Sequence, residues 1–434
     1  MKALTDFLDR YLVPPLTKLS ENTYLSAIRA GMVAIVPLTI IGGLFLVIAE
    51  MPWPIWQSWV APYQGLLEIP VSATFGLLAV FVCFAIAYDL AKRFKLEASV
   101  SASMATLVFL MIQLQRGEPT EDGLGALALN MDGLASGGLF TAILVSLVCV
   151  RVQKVLNDYN LVIRLPKSVP EVVYESFLSL IPMTFLVICF FTIRFVLGVD
   201  INALLQQAFS PLLFALNTLP GILVFTLLLT LLWSIGINGD NTLDAVVAPI
   251  FLMFLAANAE AAQANEPLPY ITALGFITSF VNVGGTGATI ALALVMINSK
   301  DEGYRQISRV SMPTQIFQIN EPIFFGFPIV LNPVFMVPYV FCAMSLTTVT
   351  YLLMDFGMIN QPLIAVPWTT PPVIGHFLVS GGDWRAAVWG AASIPLCMMI
   401  YYPFAKAAER QRLNKASEHA LPQETVKKDD AIDS

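Results

Sequence analysis

The sequence predicts an all-α protein that crosses a lipid bilayer many times. Three observations predict it. Hydrophobic residues make up 57% of the 434-residue chain and charged ones only 12%, whereas a soluble domain carries about 25%. So little charge cannot cover the apolar surface, and lipid must do so. Several segments lack charge over roughly 20 residues, the length that spans a bilayer as a helix. Lys and Arg also gather in alternate loops, as in a chain that passes back and forth across a membrane.

In chain order, candidate spans in the first half are 25–49, 73–91, 98–114, 137–152 and 174–197. The second half offers 219–236, 243–258, 270–297, 329–353 and 386–404, with shorter pieces between. The start, MKALTDFLDRYLVPP, is polar and amphipathic, and no A-x-A site follows the first apolar run. That run is expected to stay as an anchor. Lys2, Arg10 and Lys18 precede it; Lys92, Arg93 and Lys95 follow the second span; Arg151, Lys154, Arg164 and Lys167 follow the fourth. The stretch 50–72 has no Lys or Arg, and 115–133 has Arg116 among the acids Glu118, Glu121, Asp122 and Asp132. Lys300, Arg305 and Arg309 mark a further cytoplasmic loop, and Lys406, Arg410, Arg412 and Lys415 follow the last span. Both termini are therefore expected in the cytoplasm, with an even number of crossings.

The second half is less regular. YITALGFITSFVNVGGTGATIALALVMI is interrupted by Gly284, Gly285 and Gly287, and residues 357–383 hold NQP, VPWTTPP and SGGD. Non-helical backbone at membrane depth survives only where it is buried in protein or lines a wet cavity. Paired interruptions point to a transport site. Residues 1–200 are expected to be a scaffold and dimerisation half, 218–405 a substrate-binding half, and 406–434 a charged cytoplasmic tail.

Composition also excludes classes. The net charge is −7 and there is no basic patch, which argues against nucleic acid. Cys83, Cys149, Cys189, Cys342 and Cys397 lie in apolar segments without a CxxC pair, the usage of small buried hydrophobes. His376 and His419 are too far apart for a metal-binding helix motif. No cofactor is implied.

Four polar islands need a reason. Between Val310 and Met354 the only charged side chain is Glu321, inside IFQINEPIFFGFPIVLNP at 316–333. Asn320, Glu321 and Pro322 suit the start of a helix. A carboxylate in mid-membrane nevertheless costs at least ~2.5 kcal/mol, and a neutral residue would cap as well, which favours a functional role. GINGDN, 236–241, reads as a turn between spans that can also line a site. VNVGGTGAT, 281–289, lacks the G-K-[ST] of a phosphate loop. It reads instead as a re-entrant tip, at Gly285 and Thr286, whose exposed amides can donate to a polar solute. VPWTTPP, 366–372, frames Trp368 with prolines, either as an interfacial anchor or as a flat platform for a sugar ring. Arg29 is expected to snorkel to the interface.

These stretches carry a resemblance. YLSAIRAGMVAIVPLTIIGGLF, GGTGAT, INEPIFFGFPIVLNP and VPWTTPP with SGGDWRAAVWG occur in order over most of the chain. In them the chain resembles the membrane-embedded IIC permease of the lactose/cellobiose/chitobiose branch of the bacterial sugar phosphotransferase system. The resemblance implies about ten transmembrane helices with re-entrant hairpins, a homodimer built on the N-terminal half, and a C-terminal half that moves as an elevator. It implies import of a β-linked disaccharide across the bacterial plasma membrane. The sugar is then phosphorylated by a IIB phosphoprotein, itself charged by a IIA protein. The short tail after Pro403 suggests that IIB is a separate polypeptide. Glu321 matches the glutamate that binds the hydroxyl destined for phosphate, with Asn320 beside it, and Trp368 matches the tryptophan that packs on the sugar. One departure matters: Asn238 stands where the family usually has a histidine. An amide can orient a hydroxyl but cannot take its proton, so Glu321 must be the base with Asn238 orienting, or His376 substitutes. Otherwise the chain is a non-phosphorylating sugar facilitator or receptor. An ion-driven transporter with Glu321 as proton carrier is a third possibility.

Overall fold

The computed structural model describes residues 22–50, 54–116, 126–163, 166, 174, 177–327, 329–330 and 332–420. Lys2, Arg10 and Lys18, the acids Glu118, Glu121 and Asp122, Arg164, Lys167 and the tail beyond Ala420 lie outside them. Among the described residues six helices are long and apolar enough to cross a membrane. A bent pair makes a seventh candidate, and Ala98–Gln113 and Leu219–Ser234 are shorter apolar helices. The helical, many-span architecture is the one the sequence predicts; to it the fold adds one short antiparallel pair of strands, Leu114–Arg116 and Leu127–Leu129.

The N-terminal group is built from continuous helices. Thr23–Glu50 runs 28 residues, or about 42 Å. It carries Pro37, and the Thr39 hydroxyl donates to the Val36 carbonyl beside the break, at 2.9 Å. Leu78–Arg93 lies at the centre, packed on Thr23–Glu50, Ala98–Gln113 and Leu139–Asp158. The first contact is close because Gly31 offers no side chain: a Cβ there would fall 2.4 Å from Ile86 Cγ1. Small residues give membrane helices this approach. Lys92 and Arg93 occupy the last turn, where cations meet the negative end of the helix dipole. Glu97 caps the next helix, accepting from the Val100 N–H at 2.6 Å.

Leu180–Phe191 loosens into a π-helical turn at Thr192–Val196 and meets Ile201–Leu216 at 84°. The expected halves left 201–217 unassigned, and 201–216 is a helix. Asn202, Gln206, Gln207, Ser210 and Pro211 interrupt its apolar run; in the fold Asn202 bonds Gln113 at 2.8 Å and Thr141 at 2.5 Å.

The C-terminal group is broken, as predicted. Leu219–Ser234 and Gly239–Gln263 are regular, but 264–288 holds only a π-helical turn, Phe276–Val281. Short helices Thr289–Met296 and Glu321–Gly326 alternate with Glu302–Ile316 and Pro333–Asp355 before the terminal Trp384–Ala420. Buried amides satisfy the freed backbone. Asn258, fully buried, donates to the carbonyls of Tyr270 and Pro362 at 2.7 and 2.8 Å and accepts from the Tyr270 N–H at 3.0 Å. Asn217 accepts from the amides of Ile271 and Thr272 at 3.0 and 3.3 Å.

Gly239–Gln263 joins the two groups, packing on both Leu219–Ser234 and Thr23–Glu50. Near its start the Arg29 guanidinium donates to the Asn241 carbonyl at 2.8 Å. Near its end Glu260 accepts from the Ser136 N–H and hydroxyl at 3.1 and 3.0 Å. Arg29 therefore does not simply snorkel: a carbonyl 212 residues away lies within its reach.

Candidate substrate site

Three polar segments separated by apolar helices meet in the C-terminal group. The first begins where Leu219–Ser234 ends. Gly236, at φ +87, turns the chain, and Asn238 caps Gly239–Gln263 by accepting from the Asn241 N–H at 2.9 Å. Asn238 thus has its oxygen committed, and among the described residues its NH2 carries no bond. Asp240 follows in the first turn, where the helix dipole favours an anion. Its carboxylate accepts from Trp233 Nε1 at 2.8 Å, Thr286 Oγ1 at 3.0 Å and Asn282 Nδ2 at 3.3 Å. Charge-assisted bonds of this kind hold a half-buried acid without a cation.

Asn282 and Thr286 belong to the second segment, the glycine loop. Residues 281–290 are all buried, so the expected exposed amides are not on offer in this conformation. The glycines serve close packing instead. Gly285 has φ +103, and a Cβ on it would fall 2.4 Å from Asn320 Cβ. A Cβ on Gly287 would fall 2.2 Å from the Tyr339 ring. Thr286, 5% exposed, gives its hydroxyl to Asp240 and its carbonyl to Asn320 Nδ2 at 3.0 Å.

The third segment carries the predicted acid. Gln318, in a left-handed conformation at φ +67, donates to the carbonyls of Thr278 and Thr370 at 3.1 and 3.2 Å. Asn320 is buried, while Glu321 opens the helix Glu321–Gly326 and is exposed. Among the described residues no donor or cation reaches its carboxylate. The Gln318–Thr370 bond ties this segment to the proline-rich loop, on which Trp368 stands 58% exposed. The structure therefore joins Asp240, Thr286 and Asn320 in one hydrogen-bonded chain, with Asn238 two residues before Asp240, Gly285 packed on Asn320 and Glu321 next in sequence to it, and the Gln318–Thr370 bond tethers the Trp368 loop. Trp233 adds an edge-to-face contact with Phe324, centroids 5.3 Å apart.

His376 stands apart. It is fully buried, 4.7 Å edge-on from Phe280, and accepts from the Val373 N–H at 3.3 Å. A Cβ on Gly390 would fall 2.7 Å from its ring. It is a packed core imidazole, with no access for a substrate proton. Sequence reasoning missed Asp240 and Gln318. A signal for the first was present: Asp240 is an acid set in an apolar stretch, 195–299, that contains no Lys or Arg.

A bundle of membrane helices, broken around an unpaired carboxylate, fixed amides and an exposed indole, defines a permease for a polar solute. The chain belongs to the EIIC family of the phosphotransferase system, whose model matches residues 29–343; it is an integral membrane component of that system. The chain is similar to the lichenan permease IIC component of Bacillus subtilis, 32% identical over 449 residues with 99% of each chain covered. It is 30% identical to the lactose-specific EIICB component of Streptococcus mutans, covering 96% of this chain and 77% of that one. It matches the crystal structure of ChbC, the IIC component from the N,N'-diacetylchitobiose-specific phosphotransferase system. That match has a TM-score of 0.87 and 30% identity over 95% of this chain and 99% of the other.

Proposed function

We propose that this protein imports a β-linked disaccharide of the cellobiose, chitobiose or lactose type and presents one hydroxyl to a phosphorylated IIB protein. The carrying observation is Glu321, an acid with no partner among the described residues, beside an amide held in place and an indole left open. In this scheme Trp368 packs on a sugar ring while Glu321 and Asn320 accept from hydroxyls. Glu321 takes the acceptor hydroxyl's proton as its oxygen bonds to phosphorus and the phosphorus–sulfur bond to the IIB cysteine breaks. Asn238 orients through its free NH2, and Gly285 and Thr286 support the site from behind.

The names of the similar proteins, for lichenan, lactose and diacetylchitobiose, agree with β-linked substrates. The EIICB name supports a IIB partner. The lichenan protein, named as a IIC component alone and matched over 99% of its length, supports a separate IIB. The alternation of basic loops supports cytoplasmic termini in a bacterial plasma membrane. Residues 1–200 form the scaffold of a homodimer, and 218–405 carry the sugar across as an elevator. Proteoliposomes holding the protein, given cellobiose, chitobiose or lactose and phosphorylated IIB, should yield sugar phosphate. No product from any of the three sinks the proposal.

Asn238 supports a second reading, a facilitator that binds and moves sugar without phosphoryl transfer. Its mark would be free sugar equilibrating across the vesicle without IIB, with Asn238→His restoring transfer.

A further inference from the structure

Asn320 Nδ2 donates to the Thr286 carbonyl. Its Oδ1 accepts from no described residue and is not among the buried, unpartnered atoms, so it is left accessible, on the residue next to Glu321. An amide turned over would set oxygen against the Thr286 oxygen. The orientation therefore depends on that carbonyl staying in place. Two glycines in left-handed conformations, Gly285 at φ +103 and Gly287 at φ +75, flank Thr286, and such a joint has little stiffness of its own. The Tyr401 hydroxyl on the Gly287 carbonyl at 2.7 Å and the Ala288 N–H on the Gly285 carbonyl at 3.0 Å hold its neighbours, and the side chain of Thr286 itself is held by its hydroxyl on Asp240 at 3.0 Å. Asp240 is in turn held by Trp233 and Asn282. An ionised carboxylate only accepts, so its partners must all donate, and each has a proton to give.

We infer that Asp240, acting through Thr286, is a positioning residue that fixes the Asn320 amide so that its oxygen, and not its NH2, meets the sugar. This rests on the proposed sugar site. The consequence is selectivity. Two adjacent acceptors, Asn320 Oδ1 and the Glu321 carboxylate, call for two hydroxyl donors. A sugar whose hydroxyl is replaced by fluorine offers an acceptor only, and the site rejects it as firmly as the deoxy sugar. Were the NH2 presented, fluorine would be tolerated.

The test is calorimetric titration of the full-length protein in detergent with cellobiose and its monodeoxy and monodeoxyfluoro derivatives. Glu321→Gln first identifies the hydroxyl that serves the carboxylate. At one other position, deoxy and fluoro sugars should both bind the unmodified protein about tenfold more weakly than cellobiose. Thr286→Val, which keeps shape and removes the hydroxyl, and Asp240→Asn should weaken cellobiose about tenfold. Both should cut discrimination at that position to less than about twofold. Thr286→Ser should recover it, which loss of packing alone would not explain. If Thr286→Val does not fold, Thr286→Ala carries the test: it too lacks the hydroxyl that Asp240 accepts and should lose the same discrimination. Full discrimination retained in Thr286→Val, or in Thr286→Ala, overturns the inference while leaving the sugar site standing. Failure of the unmodified protein to bind cellobiose, chitobiose or lactose overturns the site and the inference together.

Discussion

The two groups of helices answer the same solvent in opposite ways. In the N-terminal group the backbone bonds itself, and buried hydroxyls such as Ser101 and Ser146 return to the preceding turn, to Glu97 and Ile143. In the C-terminal group the helices are interrupted, and side chains replace the lost backbone bonds: Asn217, Asn258, Gln318 and Asn320 each bond main-chain groups distant in sequence. Hydrocarbon punishes each unpaired amide or carbonyl by several kcal/mol. A broken helix there is retained only with such compensation. The difference teaches where specificity resides: the first group needs apolar bulk and small contact residues, the second needs particular amides at particular places.

The largest effect should come from Glu321, an acid that no described residue pairs with. Glu321→Gln should lower phosphorylation of sugar by IIB about 10²-fold or more, with thermal stability unchanged because no described residue loses a partner. A stability loss equal to that of a core variant would break the comparison.

Paired glycine variants sharpen it. Gly285→Ala places a side chain at φ +103, 2.4 Å from Asn320 Cβ, and should cost about 1–3 kcal/mol. Gly31→Ala meets Ile86 at the same 2.4 Å and should cost about as much through overpacking. Both should melt earlier in detergent, but only Gly285→Ala should also lose sugar affinity by titration.

Trp368 is exposed and contributes little to packing, so Trp368→Ala should leave melting unchanged. It should weaken sugar binding about tenfold, and Trp368→Phe about threefold, read by equilibrium dialysis. Equal losses for Ala and Phe would count against ring stacking.

The smallest effect concerns the joint between the groups. Glu260→Gln loses one of its charge-assisted bonds to Ser136, and should shift any equilibrium between arrangements of the two groups about threefold to tenfold. Spin labels at Arg151→Cys and Gln306→Cys, both exposed positions, would report it as a changed distance distribution. A distribution identical to that of the unmodified protein would mean that the groups do not separate at this contact.

Much of this was legible in the chain. Hydropathy marks the spans because transfer into lipid is a property of each residue. Gly284, Gly285, Gly287 and the prolines of 362–372 mark the breaks because backbone freedom is local as well. Glu321 declared itself by being alone, and Asn320–Glu321–Pro322 by its fit to a helix start. The sequence by itself therefore determined the membrane setting, the broken half and the acid at its centre. Tertiary structure alone decided who holds whom: that Asp240 grips Thr286 across 46 residues and Thr286 grips Asn320 across 34, that the glycine loop is buried, that Arg29 joins the two groups, and that His376 is core. The reason is physical. Hydropathy and helix-breaking belong to one residue and its neighbours, whereas a buried hydrogen bond belongs to two groups whose meeting depends on every helix between them.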